Sequence, residues 1–150
     1  MSNTEPITLL VVESQPLMLA MLSTVLSAGG MLVVGEVTDS RQAIRSVAQC
    51  NPQVLVFSVG LPSLPDVERI AAIRQEFPNV LILALISGDF RGQERMTLDY
   101  GAHHVLTKAA SSTELIFTIK KLFQQNISSR TPLHKHKKER RAHRALDQPG

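Results

Sequence analysis

The segment Asn51-Pro52-Gln53-Val54-Leu55-Val56-Phe57-Ser58-Val59-Gly60-Leu61-Pro62 decides the fold. It carries a run, Gln53–Ser58, whose apolar residues are continuous instead of alternating with polar ones. Continuous apolarity marks a strand covered on both faces, as inside a parallel sheet. Working outward, Ile7–Val12 and Val80–Ile86 share that character. Met31–Val37, which contains Gly35 and Glu36, and His103–Thr107, which opens on two histidines, suit the edges of a sheet. The five runs recur at roughly 25-residue intervals, and helical spacing fills the gaps between them.

Met18, Met21, Leu22, Val25 and Leu26 fall on one helical face that stops at Gly29-Gly30, as expected where a helix ends on residues tolerant of left-handed backbone. Ala43, Ile44, Val47 and Ala48 form a second face behind Asp39 or Ser40 as N-cap. Val67, Ile70, Ala71 and Ile73 lead to Phe77 and a stop at Pro78, and Leu115, Ile119, Leu122 and Phe123 follow Ser111 or Ser112 as cap. Phe90–Tyr100 has the weakest periodicity. This alternation predicts an α/β protein with a flavodoxin-like, doubly wound, five-stranded parallel sheet and helices on both faces. Edge character in the second and fifth runs gives the order 2-1-3-4-5, in which ligands meet the carboxyl ends of the strands. The residues there are Glu13 and Ser14, Ser58, Ile86 and Ser87, and Lys108.

The 150 residues suit one domain with one substantial core, and a hydrophobic content of 43% argues against wholesale disorder. No apolar run approaches the roughly 20 residues that cross a bilayer, and Met1–Pro6 lacks the basic start of a signal peptide. The single cysteine, Cys50, cannot form an internal disulfide, fits a reducing cytoplasm, and suits an apolar filler at a helix end. The net charge of +3 is unevenly spread: residues 1–125 hold 9 Lys and Arg against 11 Asp and Glu, and residues 126–150 hold 7 against 2. The chain is thus expected to divide into a folded, mildly acidic domain, 1–125, and a basic, disordered tail, 126–150. Residues 130–144 are either a solvated segment or a non-specific contact for nucleic acid, which would be salt-sensitive and sequence-blind. No aromatics are interleaved there for base stacking, and His134-Lys135-His136 is too sparse for a metal site.

Four segments carry a family resemblance that covers residues 7–125: Leu9-Leu10-Val11-Val12-Glu13-Ser14-Gln15-Pro16, Val33-Val34-Gly35-Glu36-Val37, the 51–62 stretch quoted above, and Gly101-Ala102-His103-His104-Val105-Leu106-Thr107-Lys108. In this order and spacing they resemble a bacterial response-regulator receiver of the CheY-like superfamily, LuxR/NarL class. Such a receiver uses an acidic pair after the first strand to hold Mg²⁺ and an aspartate after the third to accept a phosphoryl group from a histidine kinase. A Thr or Ser after the fourth strand and a Lys after the fifth contact the phosphoryl oxygens, and an aromatic in the fifth strand moves with the switch. Carried onto this chain, the acidic pair is Glu13 and Ser14, and the acceptor position is Ser58. The hydroxyl position is Ile86, or Ser87 one residue on; the aromatic position is Val105; Lys108 matches outright. Asp66 stands where the resemblance implies a glycine in the loop before the third helix.

The expected consequence is a degenerate, phosphorylation-independent pseudo-receiver. One Glu with neutral hydroxyls is a poor cage for Mg²⁺, so no cofactor is expected, and a serine without a neighbouring base is a weak nucleophile. Lys108 is expected to pair with Glu13. No catalytic residue is expected: Ser58 lacks the Gly-x-Ser-x-Gly elbow, no phosphate-cradling loop is present, and His103 and His104 fall at the far end of the sheet, as surface residues of an edge strand. The expected partners are proteins, a histidine kinase or another regulator, with a homodimer through the first and last helices, where Leu17, Leu19 and Phe117 lie off the predicted core faces. The helix-turn-helix of LuxR-class regulators would begin near Arg130-Thr131-Pro132, too close to Gly150 for its roughly 60 residues. Two outputs stay open: a cytoplasmic module acting through protein contacts, or the receiver of a truncated or frame-shifted transcriptional regulator.

Overall fold

The computed structural model describes residues 5–88 and 91–127, so the basic 130–144 run and most of the predicted tail lie outside the described residues. Five parallel strands form one sheet: β1 (Thr8–Val12), β2 (Leu32–Val37), β3 (Val54–Ser58), β4 (Leu81–Ile86) and β5 (His104–Thr107). Their order is β2-β1-β3-β4-β5. The connecting helices are α1 (Pro16–Ala28), α2 (Ala43–Cys50), entered through a short 3₁₀ turn Ser40–Gln42, α3 (Leu64–Glu76) and α4 (Arg91–Asp99). A final helix, α5, runs over residues 112–127.

Position in the sheet follows from composition. Every residue of β3 and β4 is buried, whereas the edge strands β2 and β5 each bury one residue fully. Alternate side chains of the strands leave opposite faces, so two cores flank the sheet. Leu10, Val12, Leu55, Phe57, Ile82 and Ala84 pack with Val47, Val67 and Ile70 of α2 and α3. Leu9, Val11, Val54, Val56, Leu83 and Leu85 pack with Leu19 and Leu26 of α1 and with Leu115 and Ile119 of α5. All five strands begin one residue later than their apolar runs. At the start of β3 side chains reinforce the ladder: the Gln53 N–H reaches both the Thr8 carbonyl at 3.1 Å and Thr8 Oγ1 at 3.0 Å, and Gln53 Oε1 accepts the Thr8 N–H at 2.9 Å.

Several local expectations are corrected. Leu19 is buried, not off the core, and Met21 is 55% exposed. The inward stripe of α1 is Leu19, Ser23 and Leu26, a phase hidden by a helix that is apolar nearly all round with a serine in its buried stripe. In α2, Ala48 faces solvent. The weak periodicity of the fourth helix has a cause: α4 turns Gln93 and Thr97 inward, and Thr97 Oγ1 donates to the Gln93 carbonyl at 2.6 Å. Asp66 belongs to the first turn of α3 and not to a loop. His103 is half-buried, its Nδ1 accepting the Ile82 N–H at 3.0 Å, so it is no bland surface histidine. Asp39 caps the 3₁₀ turn, its Oδ1 accepting the Arg41 N–H, and not α2, which follows Gln42 without a side-chain cap; the cap expected at Ser111 is found, its Oγ accepting the Glu114 N–H at 3.1 Å.

Candidate functional site

At the carboxyl ends of the strands lies a cleft of about 380 Å³ lined by Glu13, Ser14, Gln15, Met18, Gly60, Leu61, Ser87 and Lys108. Parallel strands end together here, so residues distant in sequence meet. The Glu13 N–H continues the β1–β2 ladder to the Val37 carbonyl at 2.9 Å, and the Lys108 N–H continues β5 to the Ile86 carbonyl at 2.7 Å. Of the residues singled out from sequence, the cleft gathers Glu13, Ser14, Ser87 and Lys108 on its walls.

The other three lie deeper. Ser58, at the end of β3, is 6% exposed, and its Oγ is shut off from solvent without a hydrogen-bond partner. Ile86 points into the α2–α3 core, which leaves Ser87 as the fourth-strand residue on the cleft wall. Val105 belongs to that same core, with Met96 and Tyr100 packed against the cluster. The expected Glu13–Lys108 pair is not formed within 4.0 Å: the ion pairs among the described residues are Arg41–Asp39, Arg69–Asp66 and Arg95–Asp99. The reason is that Glu13 is 4% exposed with Oε2 accepting the Gln15 N–H at 2.9 Å, while Lys108 remains solvated on the rim. Holding a long lysine over a buried carboxylate would forfeit both its hydration and its rotamer freedom.

Does this set of donors suit a hard divalent cation? Among the described residues Glu13 is the one carboxylate on the cleft wall, one of its oxygens accepts the Gln15 amide, and the other oxygen donors there are the neutral side chains of Ser14, Gln15 and Ser87. Among the described residues no three of His, Cys, Asp and Glu come together as a metal-ligating group. A cation that wants several anionic oxygens does not fit such a set.

The sequence marked Asp66 only as an acid in a glycine's place; its role comes from the structure. Asp66 sends its carboxylate back from α3 to the loop after β3, where Oδ2 accepts the Gly60 N–H at 2.7 Å and Oδ1 meets Arg69 Nη1 at 3.2 Å. The signal was an acid in place of a glycine four residues beyond Leu61-Pro62; the third helix was expected from Val67 on, but not that it begins early enough to carry Asp66 in its first turn.

A five-stranded sheet of this order with a cleft at its carboxyl edge is shared by several folds; what distinguishes them is the residue pattern along it. The family pattern of the response regulator receiver domain matches residues 9–120. The chain belongs to that family. It is therefore a receiver domain of the kind found in two-component response regulators. The receiver is 26% identical over 121 residues to the transcriptional regulatory protein TcrX of Mycobacterium tuberculosis, which covers 81% of this chain and 51% of TcrX. It is 27% identical over 78 residues to a protein-glutamate methylesterase/protein-glutamine glutaminase of Hahella chejuensis, 52% of this chain and 22% of that protein. The chain thus spans about half or less of the length of these two relatives. The signal receiver domain of NarL from Mycobacterium tuberculosis superposes with a TM-score of 0.73 at 23% identity, covering 80% of this chain and 98% of that one, a likeness of fold. No described helix is long and apolar enough to cross a membrane.

Proposed function

We propose that this receiver works as a cytoplasmic signalling module without aspartyl phosphorylation, passing its signal through protein contacts. The observation that carries the reading is Ser58: a buried, unpartnered hydroxyl stands at the third-strand end, beneath a cleft whose described wall residues include one carboxylate, Glu13. A serine hydroxyl becomes a competent nucleophile only beside a base. His103 and His104 stand at the start of β5, the opposite end of the sheet from Ser58, and His103 is held by the Ile82 amide. Departures at Ser14 and Val105 accompany Ser58, while Ser87 keeps a hydroxyl on the cleft wall, so metal, acceptor and fifth-strand aromatic positions are altered together while the scaffold is kept. The histidine kinase or other regulator of such a system is the partner class, and the exposed Leu17 and Met21 of α1 and Phe117 of α5 are surfaces on which a partner or second copy would dock. Incubation with acetyl phosphate, or with beryllofluoride and Mg²⁺, should give no stoichiometric adduct by mass spectrometry and no shifted amide resonances. A stoichiometric adduct at any residue of the cleft sinks the reading.

A second reading, the receiver of a DNA-binding regulator, is favoured by the similarity to TcrX and by the 7-to-2 excess of basic residues in 126–150. Contact with nucleic acid through residues 130–144 would weaken steeply with added salt and ignore sequence. A salt-titrated DNA-binding assay beside light scattering separates the two: a discrete species without DNA affinity favours the first.

A further inference from the structure

We propose that Asp66 is the positioning residue of the cleft: its carboxylate anchors the loop between β3 and α3, so that this wall is held in one arrangement from within the chain and not by a group bound at Ser58. The contacts are local and complete. The Val59 N–H extends the β3–β4 ladder to the Leu85 carbonyl at 2.8 Å, and the next amide, Gly60, donates to Asp66 Oδ2 at 2.7 Å. Two successive residues after Ser58 are thereby tied down, one to the sheet and one to a helix. Gly60 and Leu61 form the cleft wall facing Glu13, Ser14, Ser87 and Lys108.

A carboxylate on a side chain only 12% exposed is expensive unless its oxygens are occupied. Here both are, one by the Gly60 amide and the other by half-buried Arg69, and the charge sits in the first turn of α3, where the helix dipole favours an anion. Asp66 does not serve as the helix's own cap, because Ser63 occupies that place without a side-chain cap bond. Its buried oxygen is instead spent on the cleft loop. Gly60 is matched to it: a Cβ built there would come within 3.3 Å of Oδ2, so a side chain at that position would crowd the acceptor. An N–H donated to a carboxylate is shorter and stronger than one donated to a neutral oxygen, which is what a loop needs if nothing else orders it.

The test is amide hydrogen exchange by NMR on the full chain, with Asp66→Ala and Asp66→Asn. Asp66→Ala should speed exchange at Gly60 by roughly 10- to 100-fold and shift the amide resonances of Leu61, Ser87 and Lys108, leaving exchange at Val56 and Leu83 in the core as in the wild type. Asp66→Asn, which keeps a carbonyl acceptor without the charge, should restore part of the Gly60 protection. Should Asp66→Ala fail to fold, Asp66→Asn alone decides, by an intermediate loss of Gly60 protection against an unchanged core. Wild-type exchange at Gly60 in whichever variant folds overturns the proposal, as does equal acceleration at Gly60, Val56 and Leu83, which would make Asp66 a contributor to global stability only. The anchor stands on these contacts, independent of the phosphorylation reading, and a beryllofluoride adduct would leave it intact.

Discussion

Ser58 and His103 are both polar residues half or more withdrawn from water, and they illustrate opposite solutions. The Ser58 hydroxyl has no partner, so removing it takes away a desolvated polar group without breaking a bond. Ser58→Ala is therefore expected to leave the urea midpoint unchanged or raise stability by up to about 1 kcal/mol; a loss larger than that would mean the hydroxyl has a bonding role. His103 is bonded at Nδ1 to the Ile82 amide, and burial first, then the Arg74 guanidinium, push its pKa from 6.5 down to about 4. The unfolded chain therefore takes up a proton before the folded one does. Its contribution is fully present above pH 6.5 and declines as pH falls from 6.5 toward about 4. His103→Asn, which keeps an acceptor for the Ile82 amide, should flatten the stability-versus-pH curve within that window, measured by denaturant titration at a series of pH values. An unaltered slope would show that His103 does not titrate differently on folding.

The connections between elements rest on a few sterically demanding residues. Gly101 links α4 to β5 with φ of +129°, and a Cβ there would lie 2.9 Å from the Cβ of Arg74. Gly101→Ala meets both backbone strain and a clash, so a loss of roughly 1–3 kcal/mol is expected by thermal or urea unfolding. Ser111 closes the first turn of α5 through the Glu114 amide, and Ser111→Ala should cost about 1 kcal/mol, with hydrogen exchange accelerated in the first turn of α5 and not in β3. Helix phase was the least readable property of the elements. In α3 the apolar stripe Val67, Ile70, Ile73 stands among charged residues and declares itself; in α1 leucines and methionines surround the axis, and a buried Ser23 breaks the stripe. Hydrophobicity alone could not choose between faces that were all apolar, and α4 turned polar residues inward.

Across the molecule, the two cores are built mostly from strand interiors and helix faces, and Glu13, Ser14, Ser58, Ser87 and Lys108 at the strand ends belong to neither, whereas Ile86 does. This has a testable consequence. Ser14→Asp combined with Ser58→Asp would place two more carboxylates near Glu13, and like charges at close range repel. The double variant should unfold at lower temperature than the wild type without divalent cation and recover by roughly 1–3 kcal/mol at saturating Mg²⁺, whereas the wild type should be indifferent to Mg²⁺; calorimetry with and without the ion decides. What the sequence by itself determined was the sheet: continuous apolar runs and two interrupted ones specify strand type, edge position and order, because a side chain's need to leave water is a local property. It also specified which residues stand at the strand ends, since parallel strands bring those ends together whatever the helices do. The tertiary structure alone decided which strand-end side chains reach the cleft and which sink beneath it, that Lys108 stays solvated instead of meeting Glu13, and that the buried Asp66 turns back on Gly60. Those outcomes depend on competition among several polar groups for the same few partners, and that competition is settled by distances of a few ångströms that no spacing along the chain encodes.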